Sequence, residues 1–107
     1  MSRYQLVVLT QAHPGREADL RKWYDEHHLA EIMAVPGVVG GKRYDVELTK
    51  TGLASQPAWH SLAVYELDAE DPRTVLDEIS RRRQAGQLTW TDSLLGESTL
   101  QIVGRPA

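Results

Sequence analysis

The chain has 107 residues, 41% of them apolar and 25% charged, with a formal net charge of -3 and no cysteine. That size fits one domain spanning residues 1–107 around one core. Disulfides, thiolate metal sites and cysteine nucleophiles are excluded, nothing in the charge suggests nucleic acid, and no apolar run approaches the roughly 20 residues of a bilayer span. A cytoplasmic protein with no nucleic-acid and no membrane partner is the expectation.

Tyr4 to Thr10, YQLVVLT, is a near-continuous apolar, β-branched run that reads as a central strand covered on both faces. Pro14 and Gly15 then break the chain, Pro14 also biasing His13 away from helix. A helix is expected from Arg16 to about Val35, with Leu20, Tyr24, His28 and Ile32 at four-residue spacing and with Glu17 and Asp19 where the helix dipole favours acids. Val38 to Leu48 reads as a second strand that alternates from Lys42 onward, and Gly40-Gly41 predicts a bulge or a close backbone approach. After a polar loop, Ala58 to Leu67 alternates, with Ser61, Ala63, Tyr65 and Leu67 on one side. A second helix follows, with Asp71 as N-cap, Pro72 at its first position and Gly86 as its stop. Gln87 to Gly96 is a connection, and Glu97 to Gly104 is the final strand.

The order β-α-β-β-α-β predicts an α+β, ferredoxin-like fold: an antiparallel sheet with both helices on one face. The other face would carry apolar side chains without cover, which predicts a homodimer joined sheet to sheet.

Trp23, Tyr24, His28, Leu29 and Glu31, then Pro36-Gly37 and a strand with Tyr44, follow one another in a pattern that resembles the dimeric α+β barrel superfamily, particularly its EthD-like members. The likeness is close over about a third of the chain. Ala30 stands where many relatives carry proline, and Gly40-Gly41 where bulkier small residues are common, so pocket shape does not carry over. The resemblance implies two protomers forming a barrel and a pocket between sheet and helices in each. It also implies a range of activities: cofactor-free isomerases and cyclases of lactones and polyketides, cofactor-free oxygenases of electron-rich phenols, and haem-binding or haem-degrading branches.

His28, on the core-facing stripe, is the candidate general base or acid, because its ordinary pKa lies near neutrality. The competing reading makes it a core histidine bonded to Tyr44 or to a backbone carbonyl. Tyr44 is the best candidate for holding a reacting oxygen through its hydroxyl. Trp23, Tyr24, His60, Tyr65 and Trp90 are candidate substrate-binding residues, Trp59 is a further flat surface, and His13 reads as an exposed loop histidine, with a place at a pocket mouth as the alternative. His28 and Glu31 form half of a carboxylate-imidazole metal pattern without a second half, so no metal is expected. Glu31 is expected to pair with a surface cation rather than orient His28. Arg81, Arg82 and Arg83 read as a solvated face. The function expected is a cofactor-independent enzyme acting on a small hydrophobic, oxygenated molecule by proton transfer at His28. The alternatives are a non-catalytic small-molecule-binding module and a haem protein with a histidine ligand.

Overall fold

In the computed structural model, which describes residues 2–53 and 58–107, the chain runs β1 (Ser2–Thr10), α1 (Glu17–Trp23), a π-helical turn (Tyr24–His28), α2 (Leu29–Met33), β2 (Val38–Asp45), β3 (Ser61–Ala69), α3 (Pro72–Gln84) and β4 (Leu100–Gly104). The four strands lie in the order β2-β3-β1-β4, and every neighbouring pair is antiparallel. This is the expected ferredoxin-like α+β arrangement. Among the described residues no helix is long and apolar enough to cross a membrane.

The helices cover one sheet face. Leu6 and Val8 of β1 and Ala63, Tyr65 and Leu67 of β3 point into the core, where Leu20, Tyr24 and Ile32 of the first helical segment and Val75 and Ile79 of α3 meet them. The four-residue stripe therefore buries as its spacing dictates. At the start of α3 the Asp71 carboxylate accepts a hydrogen bond from the Arg73 backbone N–H, and Gly86 just past its end has φ 72°, the left-handed conformation that glycine adopts without strain.

The register fixes the other face as well. Val7 pairs with Val64 and Ile102, and Leu9 with Leu62 and Leu100, so β1 is covered by helices on one side only; its continuous apolar run supplies the core and an apolar outer face together. Ile102 and Leu100 remain exposed.

Three boundaries differ from expectation. The second strand ends at Asp45 rather than Leu48. The third begins at Ser61, because Trp59 and His60 are engaged elsewhere: the Trp59 indole N–H donates to the Ser98 carbonyl and His60 Nδ1 accepts from the Ala12 N–H. The last begins at Leu100, after a tight turn over Gly96–Ser98. Ala54 to Pro57, part of the expected loop, lie outside the described residues.

Gly40-Gly41 does both things expected of it. β2 carries a bulge, since Val38 pairs with Leu67 but Gly40 already pairs with Glu66. A Cβ on Gly41 would lie 2.8 Å from Tyr65 Cδ1 and 3.0 Å from Met33 Cγ, so the bare backbone there lets the first helical segment sit close to the sheet.

Candidate functional site

A cleft of about 940 Å³ opens on the helix-covered side of the sheet. Its floor is Val8 and Thr10 of β1 with Gln101 of β4; one wall is Trp23, Tyr24 and His28; the other is the chain that follows α3, with Leu88, Thr89 and Trp90. That second wall is the segment expected to be a mere connection. It is held by specific bonds: Thr89 is gripped twice, its carbonyl accepting from the Trp23 indole N–H at 2.9 Å and its hydroxyl donating to Glu31 at 2.6 Å. The Thr89 backbone N–H also donates to the Glu31 carboxylate. Farther along, the His13 N–H donates to the Ser93 carbonyl and the Leu95 N–H to the Gln11 carbonyl. Glu31 therefore neither orients His28 nor forms a surface ion pair; its carboxylate is consumed in fixing the wall.

The helix widens where the site residues stand. The Leu29 N–H bonds to the Tyr24 carbonyl, a bond spanning five residues, and Tyr24–His28 forms a π-helical turn. In a regular α-helix, residues five apart lie roughly 140° apart around the axis. The wider turn brings the two together, and the Trp23 and His28 rings stack with centroids 4.1 Å apart and planes at 18°. Tyr24 meets His28 edge-on at 5.2 Å. Such single-turn widenings recur at functional positions.

His28 is 9% exposed, and its Nδ1 is buried without a hydrogen-bond partner among the described residues. Neither Tyr44 nor a backbone carbonyl satisfies it. Burial pushes the imidazole pKa down to about 4, helped by the positive charge of Arg83 and opposed by Glu31, so His28 is neutral near pH 7. Burial pushes the Tyr24 phenol up, with the Thr10 hydroxyl working against the rise, and so keeps it protonated. A neutral base and a neutral donor thus share one wall.

The other sequence candidates divide. Trp90 is 80% exposed at the cleft rim, and His13 also lines the rim. Three are corrected. Tyr44 pairs with Leu62 and lies on the outer sheet face, 44% exposed, with the Lys42 ammonium 5.2 Å from its ring. The bulge explains this: Val38 points into the core, and unbroken alternation would send Tyr44 the same way, but one inserted residue reverses the facing of everything after it. Arg43 points inward instead, against Asp25 and Asp45. Tyr65 is buried in the core rather than lining the cleft, its hydroxyl without a partner among the described residues. His60 lies outside the cleft, its Nδ1 taken by Ala12 and its Nε2 3.7 Å from Glu17.

Sequence reasoning named neither Thr10 nor Gln101 as a site residue and read Arg83 as part of a solvated face; all three line the cleft, and Arg83 is exposed as well. Arg83 had a detectable signal: Glu78 can reach Arg81 and Arg82 at helical spacing but not a residue five positions on. Among the described residues, no group of three or more His, Asp or Glu side chains could hold a metal ion.

No protein-family model matches the sequence, and no curated protein matches it. Solved structures do match over essentially the whole chain. A DABB family protein with a ferredoxin-like fold from Mesorhizobium loti superposes with a TM-score of 0.68 at 13% identity, covering 100% of this chain and 99% of that one. An EthD-like protein from Ralstonia eutropha gives 0.62 at 10% identity, covering 98% and 92%. A monooxygenase from Streptomyces coelicolor, solved in complex with nanaomycin D, gives 0.51 at 14% identity, covering 99% and 88%. At such identities the likeness shows the fold: the chain shares its ferredoxin-like α+β architecture with EthD-like and DABB proteins.

Proposed function

We propose that the cleft binds a small hydrophobic, oxygenated molecule of aromatic, lactone or polyketide type, and that His28 moves a proton on it without a resident cofactor. One observation carries this reading: an imidazole held neutral, with a buried nitrogen that no group among the described residues satisfies, forms part of the wall of a large cleft. Leaving such a group unpaired costs about 1–3 kcal/mol, a cost the core hydroxyl of Tyr65 also carries; what singles out His28 is that its ring stands on the cleft wall. The nanaomycin D complex of the Streptomyces coelicolor monooxygenase lends support, since a protein of the same fold holds a small-molecule guest.

The chemistry follows from the wall. Neutral His28 accepts a proton from a hydroxyl or an acidified C–H of the guest. The imidazolium so formed feels the Glu31 carboxylate, which favours a cation. The Tyr24 hydroxyl, protonated at all ordinary pH, donates toward the oxygen on which negative charge builds. Isomerisation, cyclisation and oxygenation by dioxygen can all start from this step. We read the outer apolar face, Val7, Leu9, Val64 and Ile102, as the surface on which a second copy docks to give a homodimer.

A panel of phenols, lactones and polyketide-like compounds, screened by thermal shift and then by product analysis, tests the reading. Wild type should convert a stabilising compound, and His28→Ala should lose about 100-fold or more of the turnover while keeping its melting temperature. A ligand recovered unchanged from wild type, or full turnover by the variant, would sink the enzymatic reading.

A further inference from the structure

The cleft carries a charge that proton transfer at His28 does not use. Besides its histidines, its ionised lining residues are Asp92 and Arg83. Asp92 has a partner: Arg16 donates to its Oδ1 at 2.7 Å, while also donating to Asp19 at 2.6 Å. Arg83 stands apart from the two arginines before it. Arg81 donates to both oxygens of the Glu78 carboxylate, at 2.7 and 2.8 Å, and Arg82 donates to the same group at 2.8 Å. Arg83, at the end of α3, makes no ion pair or side-chain hydrogen bond among the described residues. Its charge nevertheless reaches across the cleft, acting on both His28 and Tyr24.

A lone cation at a helix C-terminus is ordinary when it points at solvent, where the helix dipole favours it. Arg83 is exposed to solvent, and it also lines the same cleft as two indole rings and a neutral imidazole. Guanidinium is planar, always charged and matched to a carboxylate through two parallel N–H donors. Arg83 also opposes a positive charge on His28, which works against the base unless a negative group on the guest offsets it. From the lone guanidinium, the paired Asp92 and the aromatic walls, we infer that the guest is an aromatic acid whose carboxylate is anchored by Arg83. This deepens the proposed function and rests on the reading of the cleft as an aromatic-guest site. The indoles of Trp23 and Trp90 take the ring, Arg83 takes the carboxylate, and the ring's remaining oxygen is left for His28 and Tyr24.

Calorimetric titration with 2-naphthoate and with 2-naphthamide, which differ only in charge and in the acid group, tests the assignment. Wild type should bind the acid about tenfold or more tightly than the amide, the scale of one charge-assisted hydrogen bond. Arg83→Met should bring the two to near equality by weakening the acid far more than the amide, with an unchanged melting temperature serving as a check that the fold is intact. Arg83→Lys should keep part of the preference. Equal binding of both probes by wild type, or an acid preference that survives in Arg83→Met, would overturn the anion anchor and leave the aromatic cleft standing. Failure of both probes to bind in the millimolar range would bring down the aromatic-guest reading and this inference together. Loss of the catalytic role of His28 would leave the acid preference untouched.

Discussion

Trp23 and His28 stack at 4.1 Å although they stand five positions apart along one helix, a contact that a regular α-helix does not allow and that the π-helical turn between them creates. The indole covers the imidazole, so it belongs to the cause of the lowered His28 pKa, whose largest contribution is burial. Trp23→Leu should therefore raise the His28 pKa from about 4 toward its ordinary 6.5, by about one unit or more. An NMR titration of the His28 ring reads this directly. An unchanged value would mean that the cover comes from elsewhere.

The same burial makes stability depend on pH. The folded state holds His28 at about 4 against 6.5 when unfolded, so between those values the unfolded chain binds more protons, and stability rises with pH through the window. Stability is full above pH 6.5 and falls as pH drops toward 4. The gap corresponds to about 3 kcal/mol. Urea unfolding of wild type and His28→Leu at pH 7 and pH 4.5 should show a smaller acid loss in the variant. Parallel losses would remove His28 as the source.

Glu31 secures the far wall of the cleft through Thr89, accepting from both its hydroxyl and its backbone N–H. Hydrogen bonds to a charged acceptor contribute about 1.5–3 kcal/mol. Glu31→Ala should lower stability by about that amount and speed amide exchange at residues 88–90, whereas Thr89→Ser, which keeps the hydroxyl, should change both little. Exchange that stays slow in Glu31→Ala would show that the Trp23 indole bond alone holds the wall.

Much of this was legible in the sequence where periodicity carried it. Leu20, Tyr24, His28 and Ile32 are all buried, because four-residue spacing stays on one face through both α-helical and wider π-helical turns. The bulge at Gly40-Gly41 was legible too, yet its consequence for Tyr44 was not: the facing of a strand residue depends on where the extra residue falls, and a single slip inverts it. The second wall left no periodic trace, since Thr89 is held largely through its backbone carbonyl and N–H, groups that every residue carries, with one hydroxyl bond to Glu31 beside them. The π-helical turn was invisible because Tyr24 to His28 contains neither glycine nor proline to mark a change of helix type.

Gly41 sets the distance between the first helical segment and the sheet. A methyl there would meet the Tyr65 ring at 2.8 Å and Met33 Cγ at 3.0 Å, so Gly41→Ala should destabilise the fold by about 1–3 kcal/mol. Met33 is long and flexible and can yield; the ring, wedged in the core, has less freedom. Adding Met33→Ala should therefore recover only part of the loss in chemical unfolding. Complete recovery would place the constraint in Met33 alone.

The outer sheet face supplies the last prediction. Val64 sits at its middle, paired with Val7 on one side and with Lys42 on the other, and Leu9, Leu62 and Ile102 extend the apolar surface around it. A carboxylate placed there in each of two facing sheets would be desolvated beside its own copy, which costs several kcal/mol. A monomer would hold the same group in water at almost no cost. Val64→Glu should thus shift the chain from dimer to monomer in light scattering while the cleft, on the opposite side of the sheet, keeps its ligand-induced thermal shift. A variant that stays dimeric would move the interface off this face, and a wild type that is already monomeric would mean that the chain tolerates its apolar face in water.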